Sequence, residues 1–170
     1  MNYGNDVTSE LLDEMKRLGF KYSTLSGISI AVDDLVIPSQ KESILEKAQK
    51  EVDKLDSLHR QGSISSNERH LRTSDVWRSA TQEVSDSLEK ELGRLNNVYM
   101  MAHSGARGNI DQVRQLSGMR GLMSDAQGRV INIPIRSSFK EGLSLTEYFI
   151  SSYGARKGLV DTALRTADSG

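Results

Sequence analysis

The chain has 170 residues, 36% hydrophobic and 26% charged, with a net charge of −1, a balance that allows one ordinary soluble domain or two small ones. It contains no cysteine, which excludes disulfides and thiolate metal sites, and no apolar run approaches the roughly 20 residues that cross a bilayer. Charge is uneven: residues 104–170 carry +3 and residues 1–103 carry −4, so any anionic partner is directed to the second half.

In chain order, "VTSELLDEMKRL", residues 7–18, places Leu11, Leu12, Met15 and Leu18 at helical spacing, with Gly19 as the expected C-cap. The opening "MNYGNDVTSELLDEM" lacks the basic and apolar regions of a secretory signal. In "FKYSTLSGISIAVDDLVIP", Ile28, Ile30 and Val32 alternate with Ser29 and Ala31, a strand period. Asp33 and Asp34 read as turn residues at its end.

Two long helical patterns follow. Ser39 and Glu42 stand at capping-box spacing ahead of a stripe of Leu45, Ala48, Val52 and Leu55. Gly62 turns the chain. Ser65 and Glu68 repeat the box before Trp77, Ala80, Val84, Leu88, Leu92 and Leu95. Two thin apolar seams joined by a short turn predict a projecting antiparallel helical hairpin. Its remaining faces are charged and polar, as expected of solvated surface.

"MAHSGARGNIDQVRQLSGMRGLM", residues 101–123, holds four glycines, three arginines and three methionines. Asn109 and Gln112 predict a capped short helix over 109–117. Arg107 lies between Gly105 and Gly108. Glycines let a backbone approach a ligand, and a guanidinium pairs bidentately with phosphate. "SDAQGRVINIPI" predicts a turn and a strand from Val130 to Ile135. Ser144 and Glu147 then open a helix that stays compatible to residue 170. In it Gly154, Gly158, Thr162, Thr166 and Gly170 recur every fourth position, widened by Ala155, Ala163 and Ala167 and flanked by Arg156, Lys157 and Arg165. Each interior glycine costs about 1 kcal/mol relative to alanine. Such a stripe fits either tight helix packing or close approach by a nucleic-acid end. The predicted fold class is mainly α with small β elements: the hairpin, a short helix with loops, and a long C-terminal helix.

Phosphate-loop, nucleophile-elbow and zinc-protease motifs are absent from the sequence. His59, His70 and His103 lack ligand spacing and read as surface histidines. Nothing in the chain forms a self-sufficient active site, and no catalytic residue or metal ligand is assigned.

"YMMAHSGARGNIDQVRQLSGMRGLM" followed by "EYFISSYGARKGLVDTALRTADSG" resembles the largest catalytic subunit of multisubunit DNA-directed RNA polymerase. "LGFKYSTLSGISIAVDDLVIP" resembles the part of that subunit just ahead of its rim helices. The wording at 151–170 is especially similar to the split form of cyanobacteria and plastids, beta-double-prime. The likeness covers residues 3–170.

It implies an architecture. Residues 1–38 would lead into the funnel. Residues 39–97 would form the rim-helix hairpin of the secondary channel, through which nucleotides pass. Residues 98–143 would form the funnel wall and F-loop, and 144–170 the first part of the bridge helix. Arg107 would face the phosphates of the incoming nucleotide, with Gln112 and Arg114 in the same channel-facing element. Thr162, Ala163, Thr166 and Ala167 would lie near the templating base and the RNA–DNA hybrid, with Arg156, Lys157 and Arg165 supporting the helix and contacting nucleic-acid backbone. Gly118 and Gly121 would be flexible joints of a loop leaning on that helix.

The implied partners are the beta, alpha and omega subunits, the rest of beta-prime, DNA template, RNA and nucleoside triphosphates, with secondary-channel factors at the hairpin and no membrane. The implied location is the cytoplasm (nucleoid) or a plastid. Mg²⁺ and Zn²⁺ are expected in the full enzyme and none on this chain, because the metal-binding aspartates of the family lie upstream and the trigger loop downstream. The chain then reads as a fragment that does not polymerise nucleotides alone. The competing reading, from another class, is a non-catalytic interaction module that binds a partner protein through the hairpin.

Overall fold

The structure, a computed structural model, describes residues 4–125 and 127–170. Residues 1–3 of the leading segment 1–38, and Ala126 in the predicted turn, lie outside the described residues. Six α-helices appear among them: α1 (Asn5–Ser26), α2 (Lys41–Arg60), α3 (Ser66–Glu91), α4 (Asn97–His103), α5 (Ile110–Ser117) and α6 (Leu145–Ser169). The fold is mainly α, as predicted, with a long C-terminal helix. The chain divides into two units, Met1–Ala31 and Val32–Gly170.

In the first unit, α1 is longer than its apolar pattern. It passes through Gly19 and ends at Gly27, whose φ of 62° makes the left-handed cap. A single interior glycine costs about 1 kcal/mol, less than abandoning the helix-compatible "FKYSTLS" that follows. Ile28, Ile30 and Val32 form no strand: they are exposed, and a 3₁₀ turn occupies Val32–Asp34. Alternation alone does not supply the neighbouring strand that a ladder requires.

The second unit is built on the α2/α3 hairpin. Ile44, Ala48 and Val52 of α2 meet Trp77, Ala80 and Val84 of α3, with Met119 closing the cluster. Full burial of such side chains is worth about 1.5–3 kcal/mol each, which makes this seam the main adhesive of the unit. Leu88, Leu92, Val98 and Val113 form a second cluster where α3, α4 and α5 converge. Residues 53–72 contain no buried position, so the outer half of the hairpin stands clear of the core, as the thin seams predict. Its closure is polar: Arg69 Nη1 donates to Asp56 Oδ1 at 3.1 Å, and His59 Nδ1 lies 3.0 Å from the Ile64 carbonyl.

Four details depart from the sequence pattern. Ile44 rather than Leu45 is the buried residue of its turn, and Leu95 is 87% exposed because α3 ends at Glu91. Ser39 does not cap α2; its amide and hydroxyl are taken by the Glu91 carboxylate at 2.8–3.0 Å. The predicted strand from Val130 to Ile135 is reduced to two isolated antiparallel bridges, Ser124 with Val130 and Gly121 with Ile135. Pro134 has no amide to donate, and the Asn132 side chain accepts from Ser74 Oγ on α3 at 3.2 Å.

Candidate functional site

The link from α4 to α5 carries the first group of candidate residues. Gly105 and Gly108 adopt φ of 72° and 79°, a left-handed conformation that side chains rarely take. The Arg107 amide donates to the Met101 carbonyl at 3.3 Å, tucking the backbone against the end of α4. The Arg107 guanidinium is exposed and has no side-chain partner among the described residues. His103, at the end of α4, stacks on Tyr99 with centroids 5.1 Å apart.

α5 opens with the predicted capping box in full: Gln112 N donates to Asn109 Oδ1 at 2.9 Å, and Asn109 N to Gln112 Oε1 at 3.2 Å. The Gln112 carbonyl oxygen is therefore committed to its own helix. Arg114 is committed too. Its Nη1 donates to the Met119 and Arg120 carbonyls at 3.1 and 3.3 Å, and its Nη2 lies 3.4 Å from Asp111 Oδ1. The geometry gives Arg114 the task of folding 118–121 back over α5 and leaves Arg107 as the open cation of the pair.

Gly118 and Gly121 are close-packed positions rather than open joints. A Cβ on Gly118 would meet the Arg114 carbonyl at 3.0 Å and Val84 Cγ1 at 3.1 Å; one on Gly121 would meet Thr81 Oγ1 at 3.0 Å. Arg120 lies over the Phe139 ring at 4.9 Å, its Nε is buried without a partner among the described residues, and burial pulls its pKa down.

Residues 114–125 and the first half of α6 enclose a cleft of about 570 Å³ lined by Arg114, Arg120, Met123, Gly154, Lys157 and Gly158 among others. Two of the predicted cations, Arg114 and Lys157, meet there. At Gly154 an added Cβ would touch Met123 Cε at 3.0 Å, so part of the small-residue stripe serves packing within the chain. At Gly158 the same Cβ would meet nothing within 4 Å among the described residues beyond its own helical turn.

From Gly158 onward every residue of α6 is exposed, including Thr162, Ala163, Arg165, Thr166 and Ala167; Arg156 is exposed one turn earlier. Thr162 and Thr166 turn their hydroxyls onto the helix, donating to the Gly158 and Thr162 carbonyls at 2.8 Å. Donation to the carbonyl four residues back satisfies the hydroxyl locally, and the flank is left with small, self-satisfied side chains.

The root of α6 holds residues that sequence reasoning saw only in part. Ser144 and Glu147 form their capping box. Glu147 also accepts from the Arg136 amide at 3.1 Å and from the Ser137 amide and hydroxyl at 3.3 and 3.0 Å. Burial pushes its carboxyl upward, but the bonds from Ser144 and Ser137 outweigh that and hold it below the ordinary glutamate range. Glu141 accepts from the Ser138 amide and hydroxyl, both at 2.7 Å, and from Lys41 of α2. The only local signal for either carboxylate was the Ser-x-x-Glu spacing.

No three histidine, aspartate or glutamate side chains converge on a possible metal position among the described residues.

Residues 45–152 match the family described as RNA polymerase Rpb1, domain 4, and residues 142–170 match RNA polymerase Rpb1, domain 5. Beta' subunits of DNA-directed RNA polymerase from Clostridioides difficile and Desulforamulus reducens are 55% and 56% identical to this chain over 99% and 98% of its length. The beta'' subunit of Paulinella chromatophora is 53% identical over 99%. The chain spans 14% of the length of the first two relatives and 12% of the third.

Proposed function

This chain belongs to the Rpb1/beta' family of DNA-directed RNA polymerase subunits, and on that premise we propose that it works within an assembled polymerase, in DNA-templated nucleotidyl transfer, as the wall of the nucleotide channel and the start of the bridge helix. The observation that carries the reading is the contrast between Arg107 and Arg114. Arg114 is spent on the fold. Arg107 sits on a two-glycine loop with its guanidinium free, which suits transient contact with a triphosphate. In this reading Gln112 and Arg114 shape the element that presents Arg107. The flank of α6 formed by Thr162, Ala163, Thr166 and Ala167 faces template and hybrid. Arg156, Lys157 and Arg165 meet nucleic-acid backbone.

The exposed outer half of the hairpin offers a place for channel-binding factors, and the beta, alpha and omega subunits cover the exposed apolar residues of α6. Metal chemistry belongs to residues elsewhere in the assembly, in the cytoplasm or a plastid. Arg107→Ala in the assembled polymerase tests the central contact. A lost charge-assisted bond of about 1.5–3 kcal/mol raises the apparent KM for nucleotides about tenfold or more. An unchanged KM together with an unchanged elongation rate refutes it.

A further inference from the structure

The α2/α3 hairpin and α6 share little direct packing, yet they are joined through one short segment. Arg136, on that segment, lies over the Trp77 ring of α3 at 5.2 Å and donates from Nη2 to Gln49 on α2. The next two residues are held from opposite directions. Glu147 of α6 grips Ser137 through both its amide and hydroxyl. Glu141 grips Ser138 in the same two-point way, and its second role is to accept from Lys41, the first residue of α2. Lys41 is separated from Glu141 by 100 residues in sequence and its side chain is only 7% exposed. Ser138 is fully buried. A buried ammonium held by one carboxylate is a directional fastening, because removing either partner strands a polar group.

We propose that Lys41 and Glu141 are positioning residues that fix the root of α6 to the base of the hairpin, so that the placement of α6 depends on a contact made by α2. The path is continuous: Lys41 to Glu141, Glu141 to Ser138, Ser137 to Glu147, and Glu147 to the capped first turn of α6. It is short, and every step is a hydrogen bond to a charged group, the stronger class of such bonds. The local carboxylate contacts would set the start of α6 without Lys41; only Lys41 ties that start to the hairpin. The consequence for catalysis rests on the polymerase reading above, whereas the structural tie does not.

The test uses the assembled polymerase and three variants. Lys41→Met cuts the tie. Glu141→Gln keeps an acceptor for Ser138 but removes the counter-charge of the buried Lys41 ammonium. Lys41→Met/Glu141→Gln keeps the Ser138 grip, leaves no unpaired charge and still lacks the tie. Amide exchange at 145–152 is expected to quicken about tenfold in all three variants, with α3 exchange unchanged. The elongation rate falls in the same variants while the KM for nucleotides holds, which separates this outcome from the Arg107 effect. If α6 exchange does not change in Lys41→Met, the tie does not position the helix. If the double variant regains both parental exchange and parental rate, Lys41 and Glu141 act only as a stabilising pair. Either result overturns the proposal.

Discussion

Gly158 separates what α6 needs for itself from what it needs for a partner. Beyond its own helical turn, nothing among the described residues lies within 4 Å of a Cβ placed there, and glycine inside a helix costs about 1 kcal/mol relative to alanine. Gly158→Ala is therefore expected to strengthen α6 in the isolated chain, seen as slower amide exchange at 155–162. In the assembled polymerase the same methyl group would stand where a neighbour approaches, and elongation is expected to slow. A variant that stiffens the helix and leaves elongation untouched would show that the glycine has no close partner. Gly154 is the contrasting case, because Met123 Cε already fills the space above it. Residues four apart in one stripe thus meet different surroundings, which the regular spacing alone does not reveal.

At the scale of elements, short-range capping signals held where no distant group competed for them. The boxes at Asn109/Gln112 and Ser144/Glu147 form as the sequence predicts, because both partners lie within one turn and no distant group competes. At Ser39/Glu42 a competitor exists: Glu91, 52 residues away, takes the Ser39 amide and hydroxyl. The alternating run at 28–32 fails for a related reason, since a strand is a property of a pair.

The openness of Arg107 was legible from its flanking glycines. The tie between Lys41 and Glu141 was not, because nothing local to either residue marks a partner 100 positions away. α5 offers a direct check on the local side. It has only eight residues, below the length at which helices hold themselves in water, so its cap carries a large share of its order. Asn109→Ala should cost about 1 kcal/mol and raise amide exchange across 110–113 about fivefold. If exchange there does not respond, packing of Val113 against α3 and not the box holds the helix.

Across the whole molecule, four carboxylates bind different parts of the second unit, and all four have pKa values below their ordinary range. Glu91 is lowered chiefly by the Ser39 amide, and Asp125 chiefly by the Arg129 amide. At Glu141 and Glu147 burial is the largest influence and pushes upward, but bonds from Lys41 and Ser138, and from Ser144 and Ser137, outweigh it together. A carboxylate depressed in the folded state contributes stability that is fully present above its unfolded pKa, about 4.3 for glutamate and 3.9 for aspartate. That contribution is lost as pH falls through the lowered folded value. Unfolding midpoints in urea should accordingly hold level above about pH 5 and fall below about pH 4. Glu147 joins the most backbone and side-chain donors of the four, so Glu147→Gln should lower the neutral-pH midpoint and flatten the acid limb. Loss of stability at neutral pH with the acid limb unaltered would mean that the carboxamide fails by shape alone and that the charge of Glu147 does not hold the root of α6.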